Sequence, residues 1–327
     1  MAIAPHPGPL PAVHARALSV RKTGQPARPA TGGRARVGAW NDRGVNGPVE
    51  VRVAIPLGEL AALQWGDPEA PPLLALHGWL DNAASFARLA PLLAARRRVI
   101  ALDLPGHGHS THLPRRAYRY HLVDQVDCAL DAAAALGLDH FDLLGHSLGA
   151  GIASLAAAAS ARIDRLLLIE GLGPLADDGS QTLPRWRDAH TQRRSPRRAP
   201  RVFASIEAAV AARVAAGDLD AGELWPIVER NLRAVDGGHA WRSDARLRLT
   251  TPLRIEETQA RRLLEGIRVP TLLLLADPAT PYLPRDLMQA RADCVPDVKV
   301  VHLPGPHHLH LRHAGLVART MLDFIAA

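Results

Sequence analysis

The chain has 327 residues, of which 47% are hydrophobic and 22% are charged. This composition supports one large domain or two small ones and excludes a mainly disordered chain. Two cysteines, Cys128 and Cys294, exclude a disulfide-stapled fold and a cysteine-rich zinc site. No apolar stretch approaches the roughly 20 residues of a membrane-spanning helix, and prolines interrupt the N-terminus where a secretory signal has its apolar core. We therefore expect a soluble, cytoplasmic protein without a membrane span.

The net charge of +7 is concentrated in two segments. Residues 1–47 carry seven basic residues and one acid, and residues 185–201 carry seven arginines and one acid, so the rest of the chain has a net charge of −5. Few aromatic residues interleave the second run, unlike a typical single-strand nucleic-acid surface. We therefore predict a small-molecule substrate and no nucleic-acid partner.

Residues 1–47 are rich in Pro, Ala, Gly and Arg and lack a sustained period of 2 or 3.6. This pattern predicts a flexible basic extension. A targeting arm is the alternative, but six prolines before residue 31 oppose an amphipathic transit helix.

From residue 48 the pattern predicts an ordered α/β domain, formed by residues 48–171 and 263–327. Residues 49–55 and 59–65 are typical of a β-hairpin. Continuous apolar strands then alternate with helical patterns, which indicates a mostly parallel central sheet covered by helices on both faces. The predicted strands are 73–76, 99–102, 141–144, 166–169, 271–275 and 298–303, and the predicted helices are 83–95, 121–136 and 148–159.

Residues 172–262 interrupt this alternation. The segment is rich in arginine, with helical apolar patterns at 206–215 and 224–235. We expect a helical cap insertion over the sheet.

The strongest chemical signal is Gly145-His146-Ser147-Leu148-Gly149, directly after an apolar strand and directly before an alanine-rich helix. This context is required of a nucleophile elbow, in which a sharp turn presents the serine hydroxyl. Flanking glycines leave room for that turn, and the helix N-terminus favours developing negative charge. The alternative is an ordinary Ser-Gly turn, but the flanking strand and helix favour a nucleophile at Ser147.

A second apolar strand ends in His77-Gly78-Trp79, the position that supplies one oxyanion-hole donor in folds of this kind. We predict the backbone N–H groups of Trp79 and Leu148 as the two donors. His77 and Asp81 are predicted to brace the loop, and a simple strand-end turn is the alternative.

The predicted last strand leads into Gly305-Pro306-His307, followed by a final helix. A histidine here can reach back over Ser147 as a general base. His308, His310 and His313 compete for the role, but the position after the turn favours His307. Metal binding is disfavoured because the neighbouring sequence contains no Cys, Asp or Glu to complete a ligand set, and no cofactor is predicted.

The triad acid has two candidates. A carboxylate is required between Ser147 and His307 at the end of a strand. Asp277 follows strand 271–275 and is favoured, while Glu170 follows strand 166–169 and is the alternative acid.

These motifs resemble the α/β-hydrolase superfamily and, more narrowly, the serine hydrolase-like proteins. The matching segments are 77–93, 101–110, 145–149 and 305–311, in the order of that family. The resemblance implies the α/β-hydrolase fold, with Ser147 as nucleophile, His307 as base and Gly78-Trp79 as the oxyanion turn. The family usually carries its acid as G-x-x-D, whereas residues 276–279 read Ala-Asp-Pro-Ala, so Ala279 stands where the aspartate is expected.

The predicted function is a serine esterase-like hydrolase acting through a Ser-His-acid triad and an acyl-enzyme. A C–C bond hydrolase on the same triad is one alternative. A non-catalytic binding protein on a hydrolase scaffold is another, favoured by the missing G-x-x-D aspartate. The sequence determines neither the substrate nor the oligomeric state.

Deletion of residues 1–44 is expected to preserve folding and esterase activity, because this segment has no periodic apolar face to dock on the core. The melting temperature and ester turnover of the truncated protein test this expectation. A large loss of melting temperature would show that the segment is a structural element.

Overall fold

The computed structural model describes residues 36–37, 47–195, 199–217 and 219–327. The strands are β1 (Arg36–Val37), β2 (Val49–Ile55), β3 (Gly58–Trp65), β4 (Pro72–Leu76), β5 (Arg98–Leu102), β6 (Phe141–His146), β7 (Ile163–Ile169), β8 (Ala176–Asp177), β9 (Val202–Phe203), β10 (Leu232–Val235), β11 (Gly238–Trp241), β12 (Ile255–Glu256), β13 (Thr271–Asp277) and β14 (Val298–Pro304). The α-helices are α1 (Ala90–Leu93), α2 (Leu122–Ala135), α3 (Leu148–Ala159), α4 (Thr182–Arg194), α5 (Ile206–Val214), α6 (Ala221–Arg230), α7 (Glu257–Leu264), α8 (Arg285–Ala292), α9 (Leu309–Arg312) and α10 (Ala314–Ala326). Two 3₁₀ helices span Ala83–Phe86 and Ala245–Arg248. No helix in these ranges is long and apolar enough to cross a membrane.

The central sheet confirms the predicted architecture. Within the described residues its strand order is β1-β2-β3-β5-β4-β6-β7-β13-β14. The strands from β5 to β14 pair in parallel, whereas β1, β2 and β3 pair antiparallel. The predicted hairpin is therefore the antiparallel edge of a mostly parallel sheet.

Both faces of the sheet are buried, which explains why its strands are apolar at consecutive positions. In β4, Leu73 and Ala75 belong to one hydrophobic cluster and Leu74 and Leu76 to the other. Helices α2, α3 and α8 contribute to one of these clusters. Helices α1 and α10 contribute to the cluster on the opposite face.

Part of the predicted N-terminal extension forms a sheet edge. Residues 36–37 pair antiparallel with residues 51–52 of β2. The sequence predicted a flexible extension over residues 1–47, and this two-residue strand lies within it. Residues 1–35 and 38–46 lie outside the described residues.

The helix predicted over residues 83–95 is divided in two. The 3₁₀ helix Ala83–Phe86 begins at Asn82, whose side chain accepts a hydrogen bond from the Ala84 N–H. Helix α1 begins separately at Ala90, with Pro91 in its first turn. Proline suits this position because the first helical N–H groups have no intrahelical partner.

The insertion 172–262 contains the expected helices α4, α5 and α6 and also strands. Strands β10, β11 and β9 form a small antiparallel sheet in that order. The helical interpretation of Leu232–Val235 is wrong, because Asp236-Gly237 turns the chain into a hairpin and both Gly237 and Gly238 adopt positive φ. We call this insertion the cap.

The cap has a hydrophobic cluster of its own that includes Phe203, Val210, Leu224 and Ile227. Helix α7 begins inside the range assigned to the cap, but its Leu264 packs in the core of the main domain. Helix α7 therefore crosses the predicted boundary at residue 262, and its C-terminal residue packs in the main domain as predicted for residues 263–327.

An arginine at the end of α6 joins the cap to the sheet. The Arg230 guanidinium lies 2.8 Å from Asp103 Oδ2, just after β5, and 2.8 Å from Glu50 Oε2 in β2. Asp103 is fully buried. Burial opposes ionisation of Glu50, but hydrogen bonds from His109 and Arg230 outweigh it and lower the pKa of Glu50 to about 2.

Substitution Arg230→Ala is expected to lower the free energy of unfolding by roughly 3–5 kcal/mol, because it leaves the buried Asp103 carboxylate without its cation. Urea denaturation at pH 7 measures this effect. The matched control is Arg262→Ala, which removes an exposed pair with Glu265 and is expected to change stability by less than about 1 kcal/mol. Equal effects of the two substitutions would contradict the anchoring role of Arg230.

Candidate active site

Ser147 occupies a strained turn between β6 and α3. Its φ is 53° and its ψ is −113°, a backbone conformation that a residue with a side chain rarely adopts. The Ser147 N–H donates to the carbonyl of Ile169 at the end of β7, at 3.0 Å. The carbonyl of Ser147 accepts from Gly151 in α3 at 3.1 Å. The predicted elbow is therefore present and is held from both sides.

The flanking glycines are required by close backbone approach. A Cβ on Gly149 would lie 2.0 Å from the carbonyl oxygen of Leu76 in β4. A Cβ on Gly145 would lie 2.4 Å from the carbonyl oxygen of Gly149. Any side chain at either position would push the helix away from the strand ends.

The side chain of His307 forms a hydrogen bond with the carboxylate of Glu170. The Nδ1 atom of His307 lies 3.0 Å from Glu170 Oε2. Since a carboxylate accepts, this contact places the imidazole proton on Nδ1 and leaves the Nε2 lone pair available. The two side chains are well shielded, with exposed fractions of 15% for His307 and 1% for Glu170.

The Glu170 carboxylate is held by further donors. The Ala276 N–H donates to Oε1 at 2.6 Å, and the Thr280 hydroxyl donates to Oε2. Glu170 itself has a φ of 52°, so the backbone turns sharply as it leaves β7. These contacts orient the carboxylate toward residues 305–308, the loop between β14 and α9 that carries His307, which we call the histidine loop.

The expected contact between Asp277 and His307 is absent from the described residues, and this part of the sequence prediction is wrong. The Asp277 side chain is 55% exposed, and its carboxylate pairs with Arg285 at 2.5 Å. Strand β7 is the neighbour of β6, whereas β13 lies one strand farther away. The end of β7, which carries Glu170, is therefore closer to the end of β6, which leads into Ser147, than the end of β13 is. The signals in the sequence were a carboxylate directly after an apolar strand and the lack of aspartate at Ala279.

The other three histidines of the C-terminal motif have different surroundings. The Nε2 atom of His308 lies 3.3 Å from Asp81 Oδ2, and the Nε2 atom of His310 lies 2.8 Å from the Ser85 hydroxyl. His313 precedes α10 and packs against Gly305. Among the described contacts of the four histidines, the pairing with Glu170 distinguishes His307.

His146 connects the elbow to the histidine loop. It is fully buried, and its Nε2–H donates to the carbonyl of His307 at 3.2 Å. Its ring lies 4.9 Å from that of His307 and 4.3 Å from that of His310, measured between centroids. Burial, together with the neighbouring histidines, lowers the pKa of His146 well below its ordinary value. A neutral ring therefore packs beneath the site.

The predicted oxyanion turn packs against the serine. A Cβ on Gly78 would lie 3.4 Å from Ser147 Cβ and 2.9 Å from His146 Nδ1. His77 braces the turn through contacts with the Gly78 carbonyl at 2.7 Å and the Leu104 N–H at 3.0 Å. Trp79 follows Gly78, and its indole N–H donates to the Leu247 carbonyl of the cap at 2.9 Å. Leu148 begins α3, where backbone N–H groups lack intrahelical acceptors.

A charged cluster that sequence reasoning missed lies behind the histidine loop. Arg213 in α5 donates to Asp81 Oδ1 at 3.2 Å, while His308 contacts the other oxygen of the same carboxylate. Burial opposes ionisation of Asp81, but the hydrogen bond from His308 and the charges of His308 and Arg213 hold its pKa well below the usual range. The cluster links the cap, the residue next to His307 and residues 77–82, the loop that carries the predicted oxyanion turn and that we call the oxyanion loop.

Asp81 also changes the argument about metals. Asp81, His146 and His308 offer ligand atoms that lie within 4.8 Å of one another. Metal binding was disfavoured because no acid adjoined the histidines in sequence, and the fold supplies one from the end of another strand. Both carboxylate oxygens of Asp81 already contact Arg213 or His308, so protein groups compensate its charge.

Comparison with known proteins identifies the family. A sequence profile for the alpha/beta hydrolase fold matches residues 71–313. A probable serine hydrolase of Drosophila melanogaster is 29% identical over 290 residues, which cover 84% of this chain and 87% of the fly protein.

Two solved structures resemble the chain over most of its length. A hypothetical protein from Pseudomonas aeruginosa PAO1 is 40% identical with a TM-score of 0.77, covering 85% of this chain and 99% of its own. The thioesterase domain from the curacin biosynthetic pathway is 27% identical with a TM-score of 0.76, covering 85% of this chain and all of its own. The chain therefore belongs to the α/β-hydrolase fold family, within which it is related to the serine hydrolase-like proteins.

Proposed function

We propose that this protein is a serine hydrolase that cleaves an ester or related acyl substrate with Ser147, His307 and Glu170. The observation that carries the proposal is the 3.0 Å contact between Glu170 and His307, in a loop that packs against the residue before a strained serine. The names of its relatives, a probable serine hydrolase and a thioesterase domain, agree with hydrolysis of an acyl compound.

In the proposed mechanism, His307 Nε2 takes the proton from the Ser147 hydroxyl as the oxygen attacks the substrate carbonyl. Glu170 stabilises the imidazolium that forms and preserves the tautomer with Nδ1 protonated. The N–H groups of Trp79 and Leu148 bind the oxyanion of the tetrahedral intermediate. The imidazolium then protonates the leaving group, which leaves an acyl group on Ser147.

Deacylation uses the same groups in reverse. His307 takes a proton from water, which attacks the acyl-enzyme carbonyl. The second tetrahedral intermediate collapses with return of the proton to Ser147 and release of the acid.

The position of Glu170 also bears on the alternative functions. The missing aspartate at Ala279 was the feature that favoured a non-catalytic binding protein. Because Glu170 supplies a carboxylate to His307 from the neighbouring strand, that departure no longer argues against catalysis. C–C bond hydrolysis by the same groups has no contact in its particular favour.

Substitution Ser147→Ala is expected to reduce hydrolysis of 4-nitrophenyl acetate to the uncatalysed rate, because the nucleophile is lost. The melting temperature should stay nearly unchanged. Initial-rate kinetics and labelling by a fluorophosphonate probe measure the effect. Ser160→Ala, at the other end of α3, is the matched control and should keep wild-type turnover. Unaltered turnover or probe labelling of the Ser147→Ala protein would refute the nucleophile assignment.

Substitution Glu170→Gln is expected to lower kcat by about 10⁴-fold, since an amide neither stabilises the imidazolium nor selects the productive tautomer. Asp277→Asn is the matched control and should stay within a few-fold of wild type, because its carboxylate is exposed and paired with Arg285. Steady-state kinetics with the same ester compare the two variants. The reverse order of effects would assign the acid to Asp277.

A further inference from the structure

A cavity of about 570 Å³ lies in the cap beside the oxyanion loop. Leu80 of that loop forms part of its wall, and helices α5 and α6 and the small cap sheet supply much of the rest. The apolar part of the lining includes Phe203, Ile227, Val228 and Trp241. Such a surface suits the hydrocarbon part of an acyl chain.

The charge of the lining has one sign. Five arginines reach the wall, and no aspartate or glutamate occurs among the described lining residues. These arginines are Arg201, Arg213, Arg233, Arg242 and Arg248.

Most of this positive charge has no counter-ion among the described residues. Arg213 is paired with Asp81. The other four arginines form no ion pair with the described part of the chain, and of these Arg201, Arg233 and Arg248 are exposed while Arg242 is half-buried. The Nε atom of Arg242 is itself buried and without a hydrogen-bond partner there. A buried donor without an acceptor is unfavourable, so an anionic ligand here would satisfy the Arg242 Nε–H and attract the three exposed guanidinium groups.

Ser147 is not among the lining residues, but one wall residue of the cavity belongs to the loop that packs against it. Leu80 is two residues after Gly78, whose Cβ would lie 3.4 Å from Ser147 Cβ. Two residues span at most about 7 Å of chain. Arg248 directly follows Leu247, whose carbonyl accepts the indole N–H of Trp79. The cationic wall is thus tied to the turn that is proposed to bind the oxyanion.

We propose that this cavity binds an anionic oxygen group, a carboxylate or a phosphate, at the non-reacting end of the acyl chain. The inference rests on the proposed function, because it assumes that an acyl substrate reacts at Ser147. Guanidinium groups donate paired hydrogen bonds to such oxygen anions in a fixed geometry. The substrate class is therefore an ester or thioester of an anionic acid, with its apolar segment along Phe203 and Trp241.

Matched pairs of activated esters test the charge preference. The acidic probes are the 4-nitrophenyl esters of glutaric and suberic acid, each with one free carboxylate, and the neutral probes are 4-nitrophenyl valerate and octanoate. We expect kcat/KM to be roughly 10- to 100-fold higher for at least one acidic ester than for its neutral partner, mainly through KM. The preference should shrink in 0.5 M NaCl. Equal kcat/KM values at both lengths would overturn the proposal.

Variants locate the preference in the cavity. Arg242→Gln and Arg248→Gln should each raise KM for the preferred acidic ester by a larger factor than KM for the neutral ester, and Arg242→Lys should recover part of this difference. Arg262→Gln is the matched control, because Arg262 is exposed and pairs with Glu265 on α7. Loss of activity toward acidic and neutral esters alike in both Gln variants would contradict an anion site.

Competition distinguishes the two oxygen anions. Inhibition of acidic-ester hydrolysis by free glutarate would assign a carboxylate site, and inhibition by inorganic phosphate alone would assign a phosphate site. Inhibition by neither at a concentration above the KM of the ester would overturn the anion site.

A binding measurement separates failure of this inference from failure of the proposed function. The Ser147→Ala protein is titrated with monomethyl glutarate and with methyl valerate by calorimetry. Selective, salt-sensitive binding of the acid supports the cavity even if no ester is hydrolysed by the wild type. Turnover of esters without any selectivity in binding or kinetics would retain the hydrolase and refute the cavity.

Discussion

The site depends on the close approach of backbone at the carboxyl ends of β4 and β6. Because Gly149 has no side chain, the start of α3 can approach the carbonyl of Leu76 closely. Because Gly78 has none, the turn after β4 can approach His146 and Ser147. The strained φ of Ser147 is maintained by this packing and by the hydrogen bond to Ile169. The serine, the oxyanion turn and the helix N-terminus are adjacent because three backbone segments meet without side chains between them.

The order of the strands then determines which carboxylate lies beside His307. β7 adjoins β6 on one side and β13 on the other, so a residue leaving β7 lies between the elbow and the next strand end. Glu170 occupies that point, and its side chain receives hydrogen bonds from Ala276 and Thr280. Asp277 continues β13 outward into solvent and pairs with Arg285. A difference of one strand in position thus separates a buried, oriented carboxylate from an exposed one.

Several arginines pair with carboxylates between the cap and the main domain. Arg230 contacts Asp103 and Glu50, and Arg312 donates to the buried Glu223 of α6 at 2.6 Å. Arg213 contacts Asp81, which in turn contacts the histidine next to His307. Since a buried carboxylate is costly without a cation, these pairs fix where the cap sits. The cap, the loop after β4 and the residue next to His307 are therefore joined by charged contacts.

The abundance of arginine has more than one structural consequence. Arg213, Arg230 and Arg312 form ion pairs between the cap and the main domain. Those around the cavity differ, because Arg233, Arg242 and Arg248 face a shared space whose described lining contains no acid. The structural role of each arginine therefore depends on whether the fold places a carboxylate within ion-pair distance of its guanidinium group.

Local sequence patterns predicted the sheet, the covering helices, the turn that carries Ser147 and the loop that carries His307. These features depend on local patterns, such as buried runs with Leu273 and Leu274 on opposite faces and glycines beside a serine. The sequence interpretation was wrong at Leu232–Val235, where a turn outweighed helical periodicity, and in favouring Asp277 over Glu170 as the partner of His307. The tertiary structure was needed to place Glu170 rather than Asp277 beside His307, to bring Asp81 to His308 and to gather arginines from separate cap elements around one cavity. The physical reason is that strand order and side-chain reach depend on long-range pairing, which no local pattern encodes.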